Sequence, residues 1–264
     1  MRTCLRPIVL ALLVSGILLT DGVAGTPADR LVPGSTFTVT FPAMPPTFYA
    51  LWQKRDEKAQ MTVFLPFNYE PAGKHPLLIF LGGGDGGNGS NPGVARSLCE
   101  GRDFVCVGVP LFKATDPRAT GGDYIMRNPD AKYMWTFFRT MLVKLEAIVP
   151  NIDPAHRVLG GFSNGAHATQ GLIDESNGEV ARRFSAFFFV EGGGRLQHYE
   201  LLKGKPYLMV SSNVKSRPRA QQLYDTAKAA GAKATLIVED VGKHDFPVSA
   251  YPAVRKWLLG PAME

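Results

Sequence analysis

From Pro76 onward, short continuous apolar runs alternate with stretches that are apolar at helical spacing. The runs PLLIFL (76–81), FVCVGVP (104–110), RVLGG (157–161), SAFFFV (185–190), PYLMVSS (206–212) and ATLIVED (234–240) are of strand length. Their lack of polar alternation predicts strands covered on both faces. Between them, VARSLCE (94–100), residues 130–149 before Pro150, AHATQGLID (166–174) and RAQQLYDTAKAAGAK (219–233) with its Gly231 stop predict helices. SAYPAVRKWLL (249–259) predicts a closing helix. This order gives an α/β fold class, an open and mostly parallel sheet with helices on both faces. STFTVTF (35–41) and QMTVFLPF (60–67) read as two earlier strands. No repeat or low-complexity block interrupts the chain, so residues 25–264 are expected to form a single domain.

The first 24 residues have a different character. A short basic start, MRTCLR, precedes the apolar PIVLALLVSGILL, and Gly22 and Ala24 stand at signal-peptidase spacing. Residues 1–24 are therefore expected to be a secretory signal peptide, placing the protein outside the cytoplasm, secreted or periplasmic. A retained anchor helix is the alternative. No other run is long enough to predict a membrane span. The net charge of +6 comes from scattered Lys and Arg, which leaves nucleic-acid binding unsupported. Cys99 and Cys106 read equally as a disulfide or as two small buried hydrophobes. The histidines and cysteines show no metal-ligand spacing, and neither a metal nor a cofactor is expected.

Chemistry concentrates at predicted strand ends, where open α/β sheets bind ligands. GFSNG places Ser163 between Gly161 and Gly165, with a strand before it and a helix directly after. A strand turning that sharply into a helix needs small flanking residues. The bend lifts the serine hydroxyl clear at a helix N-terminus, which favours a nucleophile over a helix-capping serine. Acyl transfer also needs donors for the developing oxyanion. The Asn164 N–H is one; LGGGDGGNGS (81–90), after PLLIFL, offers Gly83 and Gly84. A base must follow the serine. His167 lies one helical turn on, His198 has no motif around it, and His244 in VGKHDFP lies between the last strand and the last helix. His244 is the preferred base.

KHPLLIFLGGG, RVLGGFSNGAHA and VGKHDF, in that order, resemble the α/β-hydrolase superfamily over roughly residues 60–260. Within it, the chain is most similar to secreted esterases of the poly(hydroxyalkanoate) depolymerase and feruloyl esterase kind. The resemblance implies a Ser–His–acid triad working through an acyl-enzyme, with Ser163 as nucleophile and His244 as general base. It departs from the family at two places. Leu81 stands where a histidine usually precedes the oxyanion glycines. Ser212 or Asn213 stands where the family's aspartate falls, and no carboxylate lies between Glu200 and Asp225. Glu191, ending SAFFFV and followed by three glycines, is the preferred acid. Asn213 is the alternative orienter, and Asp240 and Asp245 read as structural.

These residues predict a secreted serine esterase acting on small-molecule or polymer-linked esters. A hydrolase-fold binding protein with weak or lost catalysis is the alternative. A peptidase is a third reading, with no propeller or large cap to support it. LFKATDPRATGGDYIMRNPDAKYMW (111–135) is expected to line the pocket and to favour an aromatic or sugar-linked acyl group.

Overall fold

The computed structural model describes residues 31–40, 60–84, 91–110 and 131–263, with side chains from residue 135 onward in the last of these segments. The expected signal peptide and most of the expected pocket-lining stretch lie outside the described residues. Strands β1 (Thr36–Thr40), β2 (Gln60–Phe64), β3 (His75–Leu81), β4 (Val105–Gly108), β5 (Ile152–Phe162), β6 (Ala186–Val190), β7 (Pro206–Ser211) and β8 (Lys233–Val238) form one sheet. Their order is β1-β2-β4-β3-β5-β6-β7-β8. From β4 to β8 all pairing is parallel, and β1 and β2 extend one edge antiparallel.

The helices are α1 (Gly93–Leu98), α2 (Ala131–Ile148), α3 (Asn164–Glu175), α4 (Glu179–Arg183), α5 (Arg217–Ala229) and α6 (Tyr251–Leu259). The apolar strands bury both faces, as their sequences require. Leu77, Ile79 and Leu81 of β3, with Phe187 and Phe189 of β6, pack with residues of α2, α3 and α5. Leu78 and Phe80, with Phe188 and Val190, pack with α1 and α6. Each such side chain contributes roughly 1.5–3 kcal/mol by leaving water.

The expected elements are found with shifted ends. β5 begins at Ile152, five residues before RVLGG; α3 starts directly after Ser163, and α6 starts at Tyr251 after a 3₁₀ turn, Val248–Ala250. The short α4 has too little apolar periodicity to predict. Cys99 and Cys106 are free and buried, the second of the two readings. The neighbouring Cys106 and burial hold the Cys99 thiol well above its ordinary range.

Winding from β3 runs outward to β4, then crosses back over β3 to β5 and on to β8. The topological switch therefore lies between the ends of β3 and β5, the crevice in which such sheets place ligands. Gly82–Gly84 follow one of these ends and Ser163 the other.

Candidate active site

Ser163 has φ 54° and ψ −119°, a strained conformation for a residue with a side chain. It is held by its N–H donating to the Val190 carbonyl and its carbonyl accepting from His167 N–H. The bend exists because the strand and helix touch. A methyl built on Gly165 would lie 2.0 Å from the Leu81 carbonyl oxygen and 2.5 Å from that of Gly82. A methyl on Gly192, in the loop after β6, would lie 2.7 Å from the Ser163 carbonyl oxygen. Backbone thus closes on the serine from both neighbouring strand ends.

His244 reaches the serine from the loop after β8. Its Nε2 lies 2.8 Å from Ser163 Oγ, and its Nδ1 lies 3.3 Å from Glu191 Oε2. The imidazole is 54% exposed while the carboxylate is 2% exposed. The Phe162 ring lies against the imidazole, centroids 5.1 Å apart.

Glu191 also has positive φ, 49°, and its N–H still joins the sheet at the Val210 carbonyl. A carboxylate so buried must have its charge met by donors. Oε1 accepts from Ser212 N–H at 2.5 Å and from Ser216 Oγ at 2.7 Å, which leaves Oε2 to His244. With Glu191 accepting at Nδ1, the imidazole carries its proton there, and Nε2 is left to accept from the serine.

The other sequence candidates fall out as follows. Asn213 does not face His244: its Oδ1 accepts from Lys215 N–H and its carbonyl lies 2.9 Å from Ser216 Oγ, whose one proton goes to Glu191. His198 pairs with Glu200 at 3.0 Å, away from the serine. His167 lies on α3 beside a small cavity of about 90 Å³ behind Glu191. Asp245 pairs with Lys243 at 2.8 Å, which holds its carboxyl below the usual range, and Asp240 closes a turn onto Gly242 N–H. Gly82, Gly83 and Gly84 are exposed beside the serine. A methyl on Gly83 would lie 3.2 Å from Ser163 Cβ, and the Gly84 carbonyl accepts from Asn164 Nδ2 at 2.7 Å. The sequence reading missed the roles of Ser212 and Ser216. Each meets Glu191 only because β6 and β7 are neighbours, which local spacing does not encode.

Scans against protein-family models and against curated proteins find no match. Solved structures do match. A thermostable esterase superposes with a TM-score of 0.59 at 18% identity, covering 85% of this chain and 62% of that one. Esterase 2 of Thermogutta terrifontis, phosphorylated by paraoxon, superposes with a TM-score of 0.53 at 15% identity, covering 85% of this chain and 92% of that one. This is an α/β-hydrolase fold. The chain spans just under two thirds of the first of these structures. In α/β-hydrolase terms, Ser163 occupies the strand–turn–helix elbow and His244 the loop after the last strand. The carboxylate meeting that histidine comes from the end of β6. Among the described residues no group of three or more metal-binding side chains occurs, and no helix is long and apolar enough to cross a membrane.

Proposed function

We propose that the chain is a serine esterase that hydrolyses carboxylic esters through an acyl-enzyme on Ser163. One observation carries this reading: a single imidazole spans a serine hydroxyl on a strained elbow and a buried carboxylate. His244 Nε2 takes the hydroxyl proton as Oγ attacks the ester carbonyl. The proton then passes to the departing alkoxide oxygen, which leaves as the alcohol. Water, deprotonated by the same nitrogen, attacks the acyl carbon; the Oγ–acyl bond breaks, that proton passes to Ser163 Oγ, and the acid is released. Glu191 fixes the imidazole tautomer and balances the imidazolium formed in each half. The N–H of Asn164 and one from Gly83 or Gly84 bind the oxyanion, each such donor being worth about 10²–10³ in turnover. The esterase names of the matching structures support ester hydrolysis over a pure binding role.

The finer reading is a secreted enzyme of the poly(hydroxyalkanoate) depolymerase or feruloyl esterase kind, exported on residues 1–24. The apolar N-terminal run and the aromatic content of 111–135 support it.

The test is hydrolysis of p-nitrophenyl acetate and butyrate, with fluorophosphonate labelling of the same samples. Turnover and labelling lost in Ser163→Ala, and turnover lost in His244→Ala, are expected. Equal turnover in wild type and Ser163→Ala sinks the proposal. A feruloyl ester or a short hydroxyalkanoate oligomer turned over faster than the acetate ester supports the finer reading; the reverse preference removes it.

A further inference from the structure

Ser212 directly follows β7, at one of the two positions where the resemblance expected an acid, and it is fully buried. Each of its polar groups faces a different part of the site. Its N–H donates to Glu191 Oε1 at 2.5 Å. Its carbonyl accepts from Val241 N–H at 3.0 Å, at the start of the loop that carries His244. Its hydroxyl lies 2.7 Å from the Asp245 carbonyl and 3.1 Å from the Lys243 carbonyl, so its one proton falls between the two peptides that bracket the histidine. The hydroxyl oxygen also receives Asp245 N–H at 3.3 Å.

Apart from the imidazole's own, the other bonds of the described histidine loop, residues 240–246, stay within it: Gly242 N–H to Asp240, Lys243 to Asp245, and Phe246 N–H to Asp245. Gly242 has φ 70°, the Lys243 and Asp245 side chains are largely exposed, and the imidazole itself is half in solvent. Phe246 anchors the far side by packing near Phe80 and Tyr251. Nδ1 stands 3.3 Å from the carboxylate, a long contact that small loop movements lengthen further.

We propose that Ser212 is a positioning residue for the acid–base pair. One buried serine holds the Glu191 carboxylate through its amide and the His244 backbone through its hydroxyl, and so sets their separation. The role rests on the triad reading above. Ser216 is the contrasting residue. It donates to the same carboxylate oxygen and otherwise lies against Asn213 and Ser211, with no bond to the histidine loop among the described residues.

The experiment compares wild type, Ser212→Ala, Ser216→Ala and Ser176→Ala. Ser176 is a buried serine of the α3–α4 turn, remote from the site, that also bonds backbone at both ends. Steady-state kinetics on p-nitrophenyl butyrate, the rate of fluorophosphonate labelling, thermal midpoints and the deshielded Nδ1 proton resonance of His244 are read together. Ser212→Ala is expected to lower kcat by about 30–100-fold, the scale of a 1 Å misplacement, with KM within about threefold. Labelling should slow in parallel, and the Nδ1 resonance should broaden while the rest of the spectrum stays folded. Ser216→Ala should lose only a few-fold, and Ser176→Ala should lower the midpoint with kcat unchanged.

Ser212→Ala with kcat within about twofold of wild type overturns the role, as does an equal kcat loss in Ser176→Ala. If Ser212→Ala does not fold, Ser212→Cys keeps a similar volume with a weaker donor and should show an intermediate loss; a folded Cys variant with wild-type kcat also overturns it. Turnover that does not depend on Ser163 or Glu191 in the wild type sinks the triad reading and this role together. Dependent turnover with an unaffected Ser212→Ala sinks this role alone.

Discussion

The two sides of Ser163 are held by different means. On the acid side, Glu191, Ser212, Ser216 and His244 form a chain of hydrogen bonds that is buried at Glu191 and Ser212 and partly open at Ser216 and the imidazole. On the oxyanion side, the described residues are exposed glycine backbone, tied by one amide, Asn164 Nδ2 to the Gly84 carbonyl. A buried polar network loses much when one member goes, because its partners are left without water or a bond. Exposed backbone held by a single contact loses little and is remade easily. The acid side should therefore respond steeply to substitution and the oxyanion side shallowly.

The largest effect tests that contrast directly. Glu191→Gln should reduce kcat by up to about 10⁴, the cost of an amide in the acid's place in a serine protease. Retention of most activity would make the two sides equivalent and leave a Ser–His dyad. Next, Gly165→Ala forces a methyl onto the Leu81 and Gly82 carbonyls and should destabilise by about 3 kcal/mol, read as a lower denaturation midpoint. Asn164→Ala should cost only about tenfold in kcat/KM, since its backbone N–H remains in place. A loss as large as that of Glu191→Gln would show that the glycine loop depends on this one amide.

The smallest effect lies at the far end of α3. Burial raises the Asp174 carboxyl to about 6, although it accepts Gln197 N–H at 3.0 Å, and its second oxygen is buried without a partner. A raised folded value means that ionisation costs stability. That stability is present below the ordinary carboxyl range and is lost as pH rises through about 6. Asp174→Asn should therefore match wild type near pH 4 and exceed it at pH 8. Partial solvent exposure reduces the gain to about 1 kcal/mol, or 2–4 °C in midpoint. A constant difference across pH would assign the effect to packing instead.

Most of the fold was legible because its strands are covered on both faces and so read as unbroken apolar runs; SAFFFV and PYLMV admit little else. The placement of Ser163 and His244 was legible because it depends on local order, strand–turn–helix for one and the loop between last strand and last helix for the other. Glu191 was legible only as one of two options, since choosing it over Asn213 requires knowing which side chain turns under the histidine. Glu191 does so through positive φ and two donors from the stretch between β7 and α5. Ser212 was noticed only as a missing aspartate. Its contacts span 21 to 33 residues and exist only once β6, β7 and the loop after β8 are side by side.

Among the described residues, the strand that delivers His244 is the last in the sheet, paired on one side and half-buried along most of its length. Ser163 and Glu191 follow interior strands; His244 follows the strand at the rim of the described sheet. Rims open by local fluctuation at lower cost than interiors. On warming or in mild denaturant, the protein should lose turnover while its spectroscopic signature is still that of the folded state, and recover it on cooling without passing through the unfolded chain. If Ser163-dependent turnover is found, its loss on heating should therefore begin below the melting temperature of the chain.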